Sequence, residues 1–162
     1  MALYFVLLYR ANHKKAAKAS AQLFVGMIRV RSLGGSHALS LVARAAECVT
    51  DCTSKAQNFV GVLPEMENAA GPHVMMLYYK YRPEFRDLHK SWVDAVHSLA
   101  SEFPDVGDAW RVWVAAYSDM AKLPPEASQE DAERILGELR SAKKRVIRSL
   151  SEIVLLVCVL ES

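Results

Sequence analysis

Residues 128–160 read SQEDAERILGELRSAKKRVIRSLSEIVLLVCVL, and this stretch decides the fold class. Ser128 can offer its hydroxyl to the unpaired first-turn amides of a helix. Asp131, three residues on, stands where a capping box usually carries glutamate. Ala132, Leu139, Val146, Ile153 and Leu160 then recur every seven residues, with Ile135, Ala142 and Leu156 between them. That period is helical, and so narrow an apolar seam suits packing along a second long helix. A helix over most of this stretch is therefore predicted, with the first helix of the chain as its natural partner.

The rest of the chain is punctuated in the same way. A first helix is predicted over 3–33, closed by Gly34-Gly35, where glycine relieves the steric cost of a left-handed helix stop. Ile28-Arg29-Val30-Arg31 alternates like a short strand, and a kink is expected at Gly26. Ser36 is the expected N-cap of a second helix over 37–63, stopped by Pro64. Its Leu41, Ala45, Cys48, Cys52, Ala56, Phe59 and Leu63 recur at three or four residues, a core stripe. Pro72 can open a third helix at its first position, where a missing amide costs nothing. Pro83 then separates it from a fourth, whose stripe runs through Phe85, Leu88, Trp92, Val96, Leu99 and Phe103 to Pro104. Asp108, after Gly107, is the expected cap of a helix to Leu123 that carries Trp110, Trp113, Tyr117 and Met120. The reading is all-α: one domain over 1–162, a bundle of about five to six helices with long N- and C-terminal helices.

Composition agrees with a folded domain. Apolar residues are 52% and charged residues 23% of the 162, too apolar for a disordered chain. Two apolar runs, 2–9 and 153–160, are each far short of the roughly twenty residues that span a bilayer, so no transmembrane helix is expected. Arg10, Lys14, Lys15 and Lys18 follow the first run rather than precede it, the wrong charge order for a secretory signal. The three cysteines, Cys48, Cys52 and Cys158, are too few and odd in number for a disulfide scaffold. Cys48 and Cys52 lie one turn apart and read as small core residues, with a redox pair as the other option.

The net charge of +2 conceals an asymmetry. Residues 1–46 hold seven Lys or Arg and no acid, whereas residues 47–162 hold 13 basic and 18 acidic groups. Three readings of the basic segment stay open: an internal import signal, a face for anionic lipid or nucleic acid, or a complement to the acidic remainder.

Reaction-bearing patterns are missing from the sequence. A di-metal carboxylate bundle needs several carboxylates and Glu-x-x-His pairs on facing helices, and only Asp94-x-x-His97 approximates one. His13, His37, His73, His89 and His97 sit near expected caps or among charged neighbours, so no metal is predicted. No nucleophile elbow, phosphate loop or strand–helix alternation is present, so neither an enzyme nor a bound cofactor is expected. The cluster of Tyr78, Tyr79, Tyr81, Trp92, Trp110, Trp113 and Tyr117 reads as core. It lies in the acidic part of the chain, away from the phosphate contacts a nucleic-acid platform needs, and no nucleic acid is expected.

Leu8-Tyr9-Arg10, followed by Phe24 and by Ile28-Arg29 with Arg31, resembles the pattern of the LYR-motif family. Members of that family are small, basic, helical mitochondrial proteins that serve as complex subunits or assembly factors and bind the mitochondrial acyl carrier protein. The resemblance implies a carrier-binding face with Tyr9 and Arg10, assisted by Phe24 and Arg29. It is confined to residues 1–45. The functional expectation is a non-catalytic accessory subunit of a larger, mitochondrial multiprotein assembly, with an adaptor for the acyl carrier protein as the alternative. Its partners would be other protein subunits, and contact with a membrane surface is compatible with the basic segment.

Overall fold

A computed structural model describes the backbone of residues 2–162 and the side chains from Asn12 onward. Six α-helices and one 3-10 turn follow in order: α1 (Ala2–Leu33), α2 (Gly35–Asn68), α3 (Pro72–Tyr81), the turn at Phe85–Asp87, α4 (Lys90–Glu102), α5 (Pro104–Ala121) and α6 (Gln129–Glu161). No strand occurs among the described residues. The all-α bundle with long first and last helices is the architecture predicted.

Local signals explain several of the ends. Ser128 Oγ accepts from the Asp131 amide at 3.1 Å and donates to Asp131 Oδ2 at 2.7 Å, so the capping arrangement read from sequence opens α6. Pro72 begins α3 at its first turn behind Gly71, whose φ of 56° is left-handed. Gly34, at φ 80°, serves two helices at once. Its amide donates to the Val30 carbonyl at 2.9 Å and closes α1, while its carbonyl accepts the Ala38 amide at 2.9 Å and opens α2. The junction is a single residue, so Ser36 lies inside α2, exposed, and is not the cap.

Four further expectations are corrected. Pro64 does not stop α2, which continues to Asn68. An interior proline costs about 3 kcal/mol, but Pro64 is exposed and the extra turn buries Met66, a gain of roughly 1.5–3 kcal/mol. Asn68 Nδ2 also donates to the Pro64 carbonyl at 2.8 Å. The fourth helix starts late: Arg82 before Pro83 is extended, residues 85–87 form the 3-10 turn, and α4 begins at Lys90 with the His89 ring accepting the Ser91 amide at 3.3 Å. Phe85 and Leu88 therefore fall outside it. Asp108 is no cap, because Pro104 opens α5 a turn earlier and Asp108 pairs with Arg111 instead. Gly107 is not a break but a contact: a Cβ there would stand 3.1 Å from Ala100 Cβ, which lets α4 and α5 close on one another.

The last correction concerns α6. Its seam residues Ala132, Leu139, Ala142, Val146 and Ile153 are buried as predicted, but α6 packs chiefly against α2 and α5, and its contact with α1 is the smaller one. The α2 stripe from Leu41 to Leu63 and the aromatic ridge Trp110, Trp113 and Tyr117 of α5 fill the same core. Trp113 and Tyr117 stack at 5.3 Å between ring centroids, and Trp113 Nε1 donates to Thr53 Oγ1 at 3.2 Å, so the buried Thr53 hydroxyl has a partner. Helix α3 is clamped to the C-terminal end of α5. Tyr78 Oη donates to the Leu123 carbonyl at 2.6 Å and Arg82 Nε to the Ala121 carbonyl at 2.8 Å, partners for acceptors that a helix end leaves orphaned.

Candidate partner-binding surface

Helix α1 differs from every other long element. Each residue over 12–25 is exposed, and among the described residues of α1 from Asn12 onward only Gly26 and Val30 are buried. Contact with α6 centres on Gly26, where a Cβ would come within 2.8 Å of Leu156 Cδ1. Further along, Gly35 at the start of α2 lies against Val157 and Glu161. Glycine is what permits so close an approach of two helices. Gly26 sits within a helix that runs on to Leu33, and it marks the crossing.

Before that crossing α1 leaves the bundle, and a cleft of about 500 Å³ opens between it, α6 and the α4–α5 corner. Lys18, Gln22, Val25 and Arg29 line one wall. Asp105 in the first turn of α5 and Glu152 of α6 line the other, over a floor that includes Val106 and Ile153, both 1% exposed. On the open sides of α1, Leu23, Phe24 and Ile28 are 50%, 60% and 53% exposed, and Leu155 and Val159 of α6 are exposed as well. These apolar side chains cover no core of this chain.

The four residues singled out by the LYR resemblance divide. Tyr9 and Arg10 lie in the part of α1 whose side chains are outside the described residues. Phe24 is exposed and does not line the cleft, whereas Arg29 is half-buried and does. Five residues turn an α-helix by about 500°, which places Phe24 and Arg29 on different sides of α1. Sequence reasoning missed Lys18, Asp105 and Glu152 as one site. The acid-free basic segment did mark α1, but nothing local marks which part of α5 and α6 it faces.

A second polar cluster lies inside the core. Cys48 and Cys52 are fully buried, and Tyr117 packs beside them. The hydrogen bond to Cys52 and then burial push the Cys48 thiol far up, while the same hydrogen bond, taken from the other side, lowers Cys52. Burial raises the Tyr117 phenol. With no exposed atom in the pair, these thiols behave as packed side chains. Lys55, outside this cluster, bridges α2 to the 3-10 turn through Asp51 at 3.4 Å and Asp87 at 3.6 Å.

Among the described residues no three His, Cys, Asp or Glu side chains group to hold a metal ion, and all five histidines are exposed. No described helix is long and apolar enough to cross a membrane. Comparison with protein-family models, with curated proteins and with solved structures finds no match to this chain.

Proposed function

We propose that this chain is a non-catalytic helical subunit of a larger multiprotein assembly, with α1 as its docking arm. The observation that carries this reading is the exposure of residues 12–25 of α1, with Leu23, Phe24 and Val25 open to solvent. Helical segments draw most of their stability from burying a face, and this one buries none against its own bundle. Large apolar side chains left open together, as Leu23, Phe24 and Ile28 are here, mark an interaction site. The rest of the chain supplies a packed base, the core shared by α2, α5 and α6.

A mitochondrial location belongs to the same proposal and rests on the acid-free basic composition of residues 1–46. The test is native electrophoresis of extracts from the cells that make the protein, probed for this chain. The subunit reading expects it in a high-mass complex within mitochondrial fractions. A stable, well-behaved monomer that is the main cellular species would overturn it.

The second reading is an adaptor for the mitochondrial acyl carrier protein. It is favoured by the basic, acid-free character of α1 beside exposed Phe24. It expects a small acidic protein bearing phosphopantetheine to co-purify in stoichiometric amount, and mass spectrometry of a native pull-down without that mass would end it.

A further inference from the structure

The cleft beside α1 has a cross-section that specifies more than a generic partner. Its floor is apolar, with Val106, Ile153 and Leu156, and Val25 adds an apolar side chain to the α1 wall. Its rims carry opposite charge: Lys18 and Arg29 on the α1 side, Asp105 and Glu152 on the α5–α6 side. Lys18, Arg29 and Asp105 take part in no ion pair among the described residues. Glu152 meets only Arg148 at 3.8 Å, and both side chains are mostly exposed. No ion pair among the described residues therefore closes the cleft from rim to rim, and α1 touches α6 at Gly26, between Lys18 and Arg29. From Lys18 to Arg29 the α1 rim runs roughly 16 Å, or three helical turns.

We propose that this cleft receives an amphipathic helix of a protein partner, its apolar stripe on the floor, acidic side chains against Lys18 and Arg29, and basic side chains against Asp105 and Glu152. The inference rests on the subunit reading and adds the chemistry of the docked segment. A helix laid in a groove through side chains three and four residues apart fits both the length and the narrow apolar floor. A uniformly anionic occupant, whether lipid surface or nucleic acid, would satisfy the α1 rim but meet Asp105 and Glu152 with like charge. A flat membrane is further disfavoured because Leu23, Phe24 and Val25 are consecutive. They point in three directions around α1, and a planar surface covers one. A second copy docking by its own α1 would bring two acid-free basic helices together.

The test uses the full chain and three fluorescent helical peptides that share one leucine stripe. One carries glutamate on one flank and lysine on the other, one glutamate on both, one lysine on both. Anisotropy titrations should show the mixed peptide binding about tenfold tighter than either single-sign peptide, since each single-sign peptide brings like charge to one rim. Arg29→Glu and Asp105→Lys should each weaken the mixed peptide by about fivefold, the size of one partly exposed ion pair. Tyr79→Ser, on the exposed side of α3, should leave it unchanged, and unaltered melting curves show that each variant is folded. No saturable binding, tightest binding by the all-glutamate peptide, or displacement of the mixed peptide by phosphatidylglycerol vesicles would each overturn the proposal. A photo-crosslinker at Gln22 in the native complex separates the two readings. A high-mass complex with no adduct at Gln22 removes the cleft proposal and leaves the subunit reading standing, whereas no complex at all removes the subunit reading.

Discussion

Two stretches of similar length, residues 12–25 of α1 and residues 45–59 of α2, are both helical throughout and have opposite fates. In α2, Ala45, Cys48, Cys52, Ala56 and Phe59 are all 0% exposed, each held by side chains of neighbouring helices. In α1 nothing over 12–25 is buried, although it carries Leu23, Phe24 and Val25. Apolar content alone therefore does not decide burial. The α2 residues repeat at three and four and form one stripe, whereas Leu23, Phe24 and Val25 are consecutive and spread around the helix. A stripe can be covered by one bundle. Residues that face three ways need more than one neighbour, and this chain supplies α1 with α6 on one side only.

The contrast should be largest in hydrogen exchange. Amides of residues 45–59 are expected to exchange only through global unfolding, with free energies near the total, while those of residues 12–25 open locally at little cost. Comparable protection in both stretches would show that α1 is held in some other way. Next in size is the core itself. Trp113→Ala, which removes a fully buried indole and leaves Thr53 without its donor, should cost about 3–5 kcal/mol by urea denaturation.

Alkaline pH should weaken the core without touching the arm. Burial raises both Tyr117 and Tyr78 above the ordinary phenol value. The unfolded chain, whose phenols titrate near about pH 10, then loses protons first. Stability from these groups is full below that pH and drains away as pH rises through it. Urea midpoints at rising pH should fall in the wild type and fall less steeply in Tyr117→Phe. The clamp between α3 and α5 is worth less: Tyr78→Phe, which orphans the Leu123 carbonyl, should lose about 0.5–1.5 kcal/mol of stability. At the small end stands the arm. Phe24→Ser should change unfolding free energy by no more than about 0.5 kcal/mol while reducing recovery of the native complex on gels, and a large stability loss would mean that Phe24 belongs to the fold.

Much of the architecture was legible because its signals act within one helical turn. Ser128 and Asp131 cap their own helix, Pro72 presets its own φ, and the α2 stripe needs only the helical period. Where the reading failed, a neighbour outweighed the local preference. Pro64 is carried inside α2 because the turn beyond it buries Met66. Gly107, read as preceding its helix, lies inside α5 at the point where α5 touches Ala100 of α4. Of the candidate site, the basic character of α1 was readable. Asp105 and Glu152 were not, since they lie more than seventy residues from α1 in sequence and reach it only through the crossing of α1 on α6.

Read along the chain alone, the protein is helical, the ends of α1, α3 and α6 are marked, the apolar stripes of α2, α5 and α6 are visible, and residues 1–46 are basic without acid. Periodicity, caps and composition are properties of neighbours along the chain. Only the tertiary structure decided that α6 lies on α2 and α5, that α1 stands away from them, and that a cleft with rims of opposite charge separates α1 from α5 and α6. Those outcomes depend on which apolar stripe fits which, a choice settled by close packing over the whole core and not by any single segment.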